Sequence, residues 1–181
     1  MICHRCHSAM QMSLERYQYR ESGLENVFID RCIIHTCEKC NIRMAVLPDS
    51  ETAAREILRT LVLQKRRLDG QSILFLRKVM RLKAVELASV LRVDRVSVSR
   101  WENNQVAIDA INDFRLRMAA VDRVIARPAQ REEADVLKML ICLIMQDHYE
   151  SSKDVGNEEL TISSPLQESG ALINSSETVG T

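Results

Sequence analysis

Cysteines are the residues here best equipped for chemistry, and five of the six fall within the first 40 positions. Cys3-His4-Arg5-Cys6 and Cys37-Glu38-Lys39-Cys40 are two C-x2-C pairs with thirty residues between them. Two residues between thiolates let each pair form a tight knuckle that offers both sulfurs to one ion. Two such knuckles brought together make a tetrahedral four-thiolate site, which favours Zn2+ and leaves no open position for a substrate. The expected role of the zinc is structural, because a segment this short has little core of its own without a staple. Cys32, His4, His7 and His35 lie close enough in sequence to stand in for one of the four. A lone C-x2-C also suits a redox pair, but no βαβ pattern surrounds either one. Cys142, in a stretch rich in Leu, Ile and Met, reads as a buried apolar residue.

Positioning two knuckles thirty residues apart requires a hairpin between them. Tyr17, Tyr19, Val27, Phe28 and Ile29 have strand character, Ser22-Gly23 suits a turn, and Cys32-Ile33-Ile34 can pair back. Together these predict a small β zinc ribbon.

A second group of residues lies between 71 and 104. Ile73, Leu76, Met80 and Leu82 form one apolar edge, Leu87, Ala88 and Leu91 a second, and Val93, Val98 and Trp101 close a three-helix core. Asp94 is placed to cap the helix that follows it, and Asn103 or Asn104 to end that helix in a left-handed conformation. With Val98 and Trp101 turned inward, Arg95, Val96, Ser97 and Arg100 face outward. Arg100 is suited to guanine O6/N7, Ser97 to several base-edge groups, and Val96 to a thymine methyl. Ser99, Lys78, Lys83 and Arg92 are the expected phosphate contacts, which position a protein on DNA without reading sequence.

The stretch ELASVLRVDRVSVSRWENN resembles the helix-turn-helix of the Cro/C1 (XRE) regulators. A ribbon of two C-x2-C pairs enclosing YRESGLENV, followed by FLRK and that motif, resembles the MqsA-like antitoxin family over residues 1–105. The resemblance implies a zinc-binding ribbon that can face a cognate toxin. It also implies a helix-turn-helix that binds a palindromic operator as a homodimer and represses transcription, with base reading on Val96 and Arg100. An ion pair between Arg77 and Glu102 is implied as well. Arg92 stands where the family has its turn glycine, and keeping the left-handed turn there costs about 1 kcal/mol. Ala84 and Val96 replace a Gln and an Asn that make DNA contacts in some members.

The elements around these motifs predict a mainly α chain. A β zinc ribbon (1–47) leads through a connecting helix (48–69), capped by Asp49 or Ser50 and periodic from Ala53 to Arg67, to an all-α helix-turn-helix domain (70–105). C-terminal helices (106–150) follow, with Ile108, Ile111, Val121, Val124 and Ile125 near one stripe and Val136 to Met145 apolar enough to suggest a homodimer contact. The acidic, serine-rich tail (151–181) is expected to be disordered.

Lys plus Arg and Asp plus Glu both number 25, a balance that argues against nucleic acid only until it is divided. Residues 51–100 hold twelve basic and five acidic side chains, and acidic residues dominate from 101 onward. A basic middle section is the expected electrostatic footprint of a DNA reader. Met1-Ile2-Cys3 leads into polar sequence without a secretory h-region, and the longest apolar run is too short for a bilayer, so the expectation is a cytoplasmic protein without a membrane partner. No phosphate-binding glycine loop or base–nucleophile pairing suggests an enzyme. The competing reading is a protein-interaction module, toxin-binding in kind, whose DNA affinity is residual.

Overall fold

The computed structural model describes residues 1–126, 130–148 and 159–162. Strands β1 (Met10–Gln18) and β2 (Val27–Cys37) form an antiparallel hairpin, with Tyr17 opposite Ile29 and Met10 opposite Cys37. A 3-10 turn at Arg20–Ser22 closes it, and Gly23 supplies the φ of 77° that the turn exit needs. Val27 and Ile29 face inward at odd positions, Cys32 and Ile34 at even ones. The change of phase comes from a bulge: the register shifts between Glu15 and Tyr17, and Arg31 opposite takes a φ of 54°. One extra residue there keeps all four side chains on the buried face. Val27–Ile29 and Cys32–Ile34 are therefore one continuous strand, both halves pairing with β1.

Strand β3 (Arg43–Ala45) pairs antiparallel with the end of β2, and α1 (Ser50–Leu63) lies behind the sheet. The Asp49 carboxylate caps α1 by accepting from the N–H groups of Glu51 and Thr52. Ile57, Leu58, Leu61 and Val62 have no exposed surface and belong to the main core. Helix α1 ends at Leu63, four residues short of the expected Arg67. Arg117, fully buried on α5 (Ala110–Ala120), donates to the carbonyls of Val62, Gln64 and Arg66 at 3.0, 2.6 and 2.6 Å and holds that segment out of the helix.

Helices α2 (Gly70–Val79), α3 (Ala84–Leu91) and α4 (Arg95–Glu102) follow. Gly70 is required by close approach: a Cβ there would sit 2.5 Å from the carbonyl oxygens of Trp101 and Glu102. Helix α5 continues as a π turn, Val121–Ile125, and α6 (Arg131–His148) completes the helical layer. A single apolar core runs from Val27 and Ile29 of the sheet through α1 to Trp101, Leu116 and Ile141.

Three expectations need correction. Ile108, Val121 and Ile125 are buried, but Ile111 is 60% exposed. The helix starts only at Ala110, so helical spacing does not relate 108 to 111. Cys142 is exposed, because Ala134, Leu137 and Ile141 form the buried stripe of α6 and Cys142 lies about 100° beyond Ile141. Within the tail, Leu160–Ile162 form strand β4, which pairs parallel with Val27–Ile29 and buries Leu160 and Ile162. The rest of the 151–181 segment lies outside the described residues. No helix among the described residues is long and apolar enough to cross a membrane.

Candidate metal centre and nucleic-acid interface

The two knuckles are built alike. In the first, His7 N–H donates to the Cys3 carbonyl at 2.9 Å and Cys3 N–H to the Ser8 carbonyl at 2.9 Å. In the second, Asn41 N–H donates to the Cys37 carbonyl at 2.8 Å and Cys37 N–H to the Ile42 carbonyl at 2.9 Å. The residue after each second cysteine, His7 or Asn41, takes a left-handed φ of 57° or 56°. This turn bends each loop back so that both sulfurs point to one side. The repeat is one of backbone geometry: His7 matches Asn41 and Ser8 matches Ile42 in offset but not in residue type, so the cysteine spacing alone announces it.

Strands β1 and β2 carry the knuckles to one end of the sheet, and the Sγ atoms of Cys3, Cys6, Cys37 and Cys40 all lie within 4.8 Å of one another. Cys3–Cys40, Cys6–Cys37 and Cys6–Cys40 are separated by 3.5, 3.3 and 3.6 Å. Four sulfurs each about 2.3 Å from a central ion would stand roughly 3.8 Å apart, so the four cysteines could bind a metal ion with little movement. The electrostatics agree. Cys6 is brought down to about 6 by the Ser8 N–H, the Ser8 hydroxyl and the adjacent Cys37 thiol. Cys3 is lowered by the N–H groups of Cys6 and Arg5. The Ile42 N–H pulls Cys40 down, but burial and the three neighbouring thiols outweigh it and push it up to about 12. Four thiolates cannot coexist this closely without a cation, and a bound metal would remove that conflict.

The substitute ligands do not join the cluster. Cys32 points into the main core, its thiol 3.5 Å from the Val46 carbonyl and pushed up by burial. His4 and His7 are exposed. His35 lies between Met12 and Met44, with a buried Nδ1 that has no hydrogen-bond partner among the described residues.

The second candidate site is formed by α3 and α4, two eight-residue helices joined by a three-residue turn. Arg92 ends α3 in the left-handed conformation (φ 58°, ψ 45°), the geometry in which a glycine had been expected to be cheaper. Asp94 caps α4, accepting from Val96 N–H at 2.8 Å and Ser97 N–H at 3.1 Å. Val98 and Trp101 are buried, while Arg95, Val96, Ser99 and Arg100 are exposed along the outer side of α4. Lys78 at the end of α2, Lys83 before α3 and Arg92 in the turn are exposed too. Ser97 differs: it is half-buried and donates its hydroxyl to Asp94 Oδ2 at 3.1 Å, so it already has a partner. At the far end of α4, Asn104 takes a φ of 53° and its Oδ1 accepts from Gly70 N–H at 2.7 Å.

Apolar surface is also exposed away from α4. On the outer face of the sheet, Met12 and Leu14 are 65% and 45% exposed, opposite His35 and Ile33. On α6, Val136, Met139 and Leu143 are 48%, 57% and 52% exposed at helical spacing. No protein-family model, curated protein or solved structure matches the chain.

Proposed function

We propose that this chain is a sequence-specific DNA-binding transcriptional regulator, a repressor, either an antitoxin of the MqsA-like type or an orphan relative. In this reading α3 and α4 are a helix-turn-helix of the XRE type and α4 is the recognition helix. The observation that carries it is the outer side of α4: a helix capped at its N-terminus by Asp94, anchored by Val98 and Trp101, and presenting Arg95, Val96 and Arg100 to solvent. Arg100 would read guanine, Val96 a thymine methyl, and Ser97 an adjacent edge if its hydroxyl left Asp94. Lys78, Lys83, Arg92 and Ser99 would hold phosphates.

The four-cysteine centre would hold Zn2+ as a structural ion, since four sulfur donors leave no position for a substrate. A palindromic double-stranded operator calls for two copies of α4, and the Val136–Met139–Leu143 stripe of α6 is the surface for a homodimer. We place the protein in the cytoplasm and assign it no catalytic activity.

The second reading, a protein-interaction module that binds a toxin and touches DNA only weakly, is favoured by Met12 and Leu14 on the outward sheet face. Selection from a random duplex library, followed by titration of the winning sequence, separates the two. For a regulator, a consensus palindrome emerges, Arg100→Ala costs about 1–3 kcal/mol and relaxes one base position, and Lys83→Ala lowers the salt slope by about 1. If no sequence is enriched, or Arg100→Ala binds like the wild type, the DNA-reading function is wrong.

A further inference from the structure

Strand β4 occupies a groove between the edge of β2 and α1. Leu160 and Ile162, 2% and 3% exposed, enter the core, and the Leu160 N–H donates to the Asn26 carbonyl at 2.7 Å. Just ahead of them, Glu159 pairs with Arg16, whose guanidinium also lies 4.2 Å from the centre of the Phe28 ring and 3.4 Å from the Asp30 carboxylate. The groove thus selects an extended segment by three features: a carboxylate at Arg16 and two apolar side chains separated by one exposed residue. That pattern matches Glu159-Leu160-Thr161-Ile162, and the attachment is short, three residues of parallel pairing.

We propose that this groove is a strand-acceptor site and that in the homodimer it takes residues 159–162 of a second copy. The inference rests on the dimer reading above. One observation favours the second copy and one permits it. First, the α6 stripe alone is too small: three side chains about half exposed supply roughly a third of the 800 Å² per partner that a stable pair usually needs. An exchanged strand adds two fully buried apolar side chains and an ion pair on each side. Second, ten residues (149–158) connect the end of α6 to Glu159, a reach of at most roughly 35 Å, long enough to serve the strand's own groove, as here, or that of a neighbouring copy. Exchange of an identical element is a low-cost route to a dimer, since the groove needs no new complementarity.

A charge-swap mixing experiment on full chains tests it. Arg16→Glu and Glu159→Arg each place like charges across the contact, whether the strand docks within its own chain or in a partner. Mixed at low salt and measured by native mass spectrometry, the two variants restore both pairs only if strands cross between copies. Exchange gives heterodimers in excess of the statistical half of all dimers, about threefold or more relative to the homodimers' expectation, and the excess fades as salt rises. A 1:2:1 distribution with stable dimers overturns the exchange and leaves the dimer reading standing. Monomers at every concentration for wild type and mixture alike overturn both. Because Arg16 and Glu159 are both surface residues, a folding check by circular dichroism on each variant accompanies the measurement. If either variant fails it, Arg16→Lys chains carrying and lacking isotope label, mixed and coupled by carbodiimide between the amine at position 16 and the Glu159 carboxylate, decide: cross-links confined to one label overturn the proposal.

Discussion

Arg77 on α2 and Glu102 at the end of α4 meet through two parallel hydrogen bonds, Nε to Oε1 at 2.5 Å and Nη2 to Oε2 at 3.1 Å. The third nitrogen donates to the Leu82 carbonyl at 3.0 Å in the loop before α3. One guanidinium therefore ties α2 to the end of α4 and to the loop that enters α3, and its side chain and that of Glu102 are only 17% and 11% exposed. Removing one partner leaves a desolvated charge, so Arg77→Ala and Glu102→Ala should each cost about 2–4 kcal/mol. The double variant should cost less than the two together by at least about 1 kcal/mol. Urea denaturation of the four proteins gives this coupling directly, and additive costs would show that the pair is incidental.

Arg117 offers a stronger case, because it has no exposed surface and all of its hydrogen-bonding partners lie within the core. Its Nε donates to Asp113 Oδ2 at 3.0 Å, and Asp113 Oδ1 in turn accepts the Leu68 N–H at 3.1 Å. The other nitrogens satisfy carbonyls that the end of α1 and the segment after it would otherwise leave bare in the interior. Arg117→Met should destabilise the protein by about 3–5 kcal/mol, since the carbonyls and Asp113 then lose a charged donor while buried. Arg117→Lys should recover only part, an ammonium being unable to span these acceptors. Native-state hydrogen exchange should localise the damage to residues 61–68. Loss spread evenly over the chain would argue against this capping role.

These two arginines mark how much could be read before the structure. The Arg77–Glu102 contact is implied by the family resemblance, because both residues fall on side-chain positions of its motifs. Helices α2 to α4 are legible because their apolar stripes, and the Asp94 cap of α4, are local. Arg117 is not, since its acceptors are main-chain carbonyls, which every sequence has, and nothing local shows which ones will be stranded indoors. Strand β4 escapes for want of composition: Leu160 and Ile162 are two apolar residues in a polar, acidic tail, and they gain order only from a groove that β2 and α1 create. The cysteine spacing announces the metal centre, but exclusion of Cys32 follows from the bulge at Arg31, which turns it toward the core.

That exclusion leads to a discriminating prediction about the metal. Protein purified without added metal should carry one ion per chain. Cys6→Ser or Cys37→Ser should release it to a chelator that leaves the wild type loaded, because a neutral hydroxyl replaces a thiolate. Cys32→Ser should retain the full ion and lose stability instead, about 1–3 kcal/mol for a hydroxyl in an apolar site. Cobalt substitution supplies an independent readout, with thiolate charge-transfer bands of wild-type intensity in the Cys32→Ser protein and weakened bands in the other two. Metal loss from Cys32→Ser would place that residue in the centre after all.

The N-terminal cap of α4 should be visible in acid. The Ser97 N–H, the Ser97 hydroxyl and the Val96 N–H hold the Asp94 carboxyl below its ordinary value, as similar contacts do for Asp49 at the start of α1. A carboxyl depressed on folding binds its proton more tightly in the unfolded chain, whose pKa is about 3.9. Its stabilising contribution is therefore complete above that value and is lost as the pH falls through the lower, folded one. Asp113 runs the other way, since burial outweighs the Arg117 charge and pushes its carboxyl up. The stability curve of the whole protein mixes both signs, and a substitution is needed to separate them. Asp94→Asn retains a side-chain oxygen for the Val96 and Ser97 amides but cannot titrate. Compared with the wild type by urea denaturation from pH 7 to pH 3, it should be the less stable protein at neutral pH. The gap should be constant down to about pH 4 and close below it. A gap that stays unchanged at pH 3 would mean that Asp94 acts by shape alone, not by its charge at the start of α4.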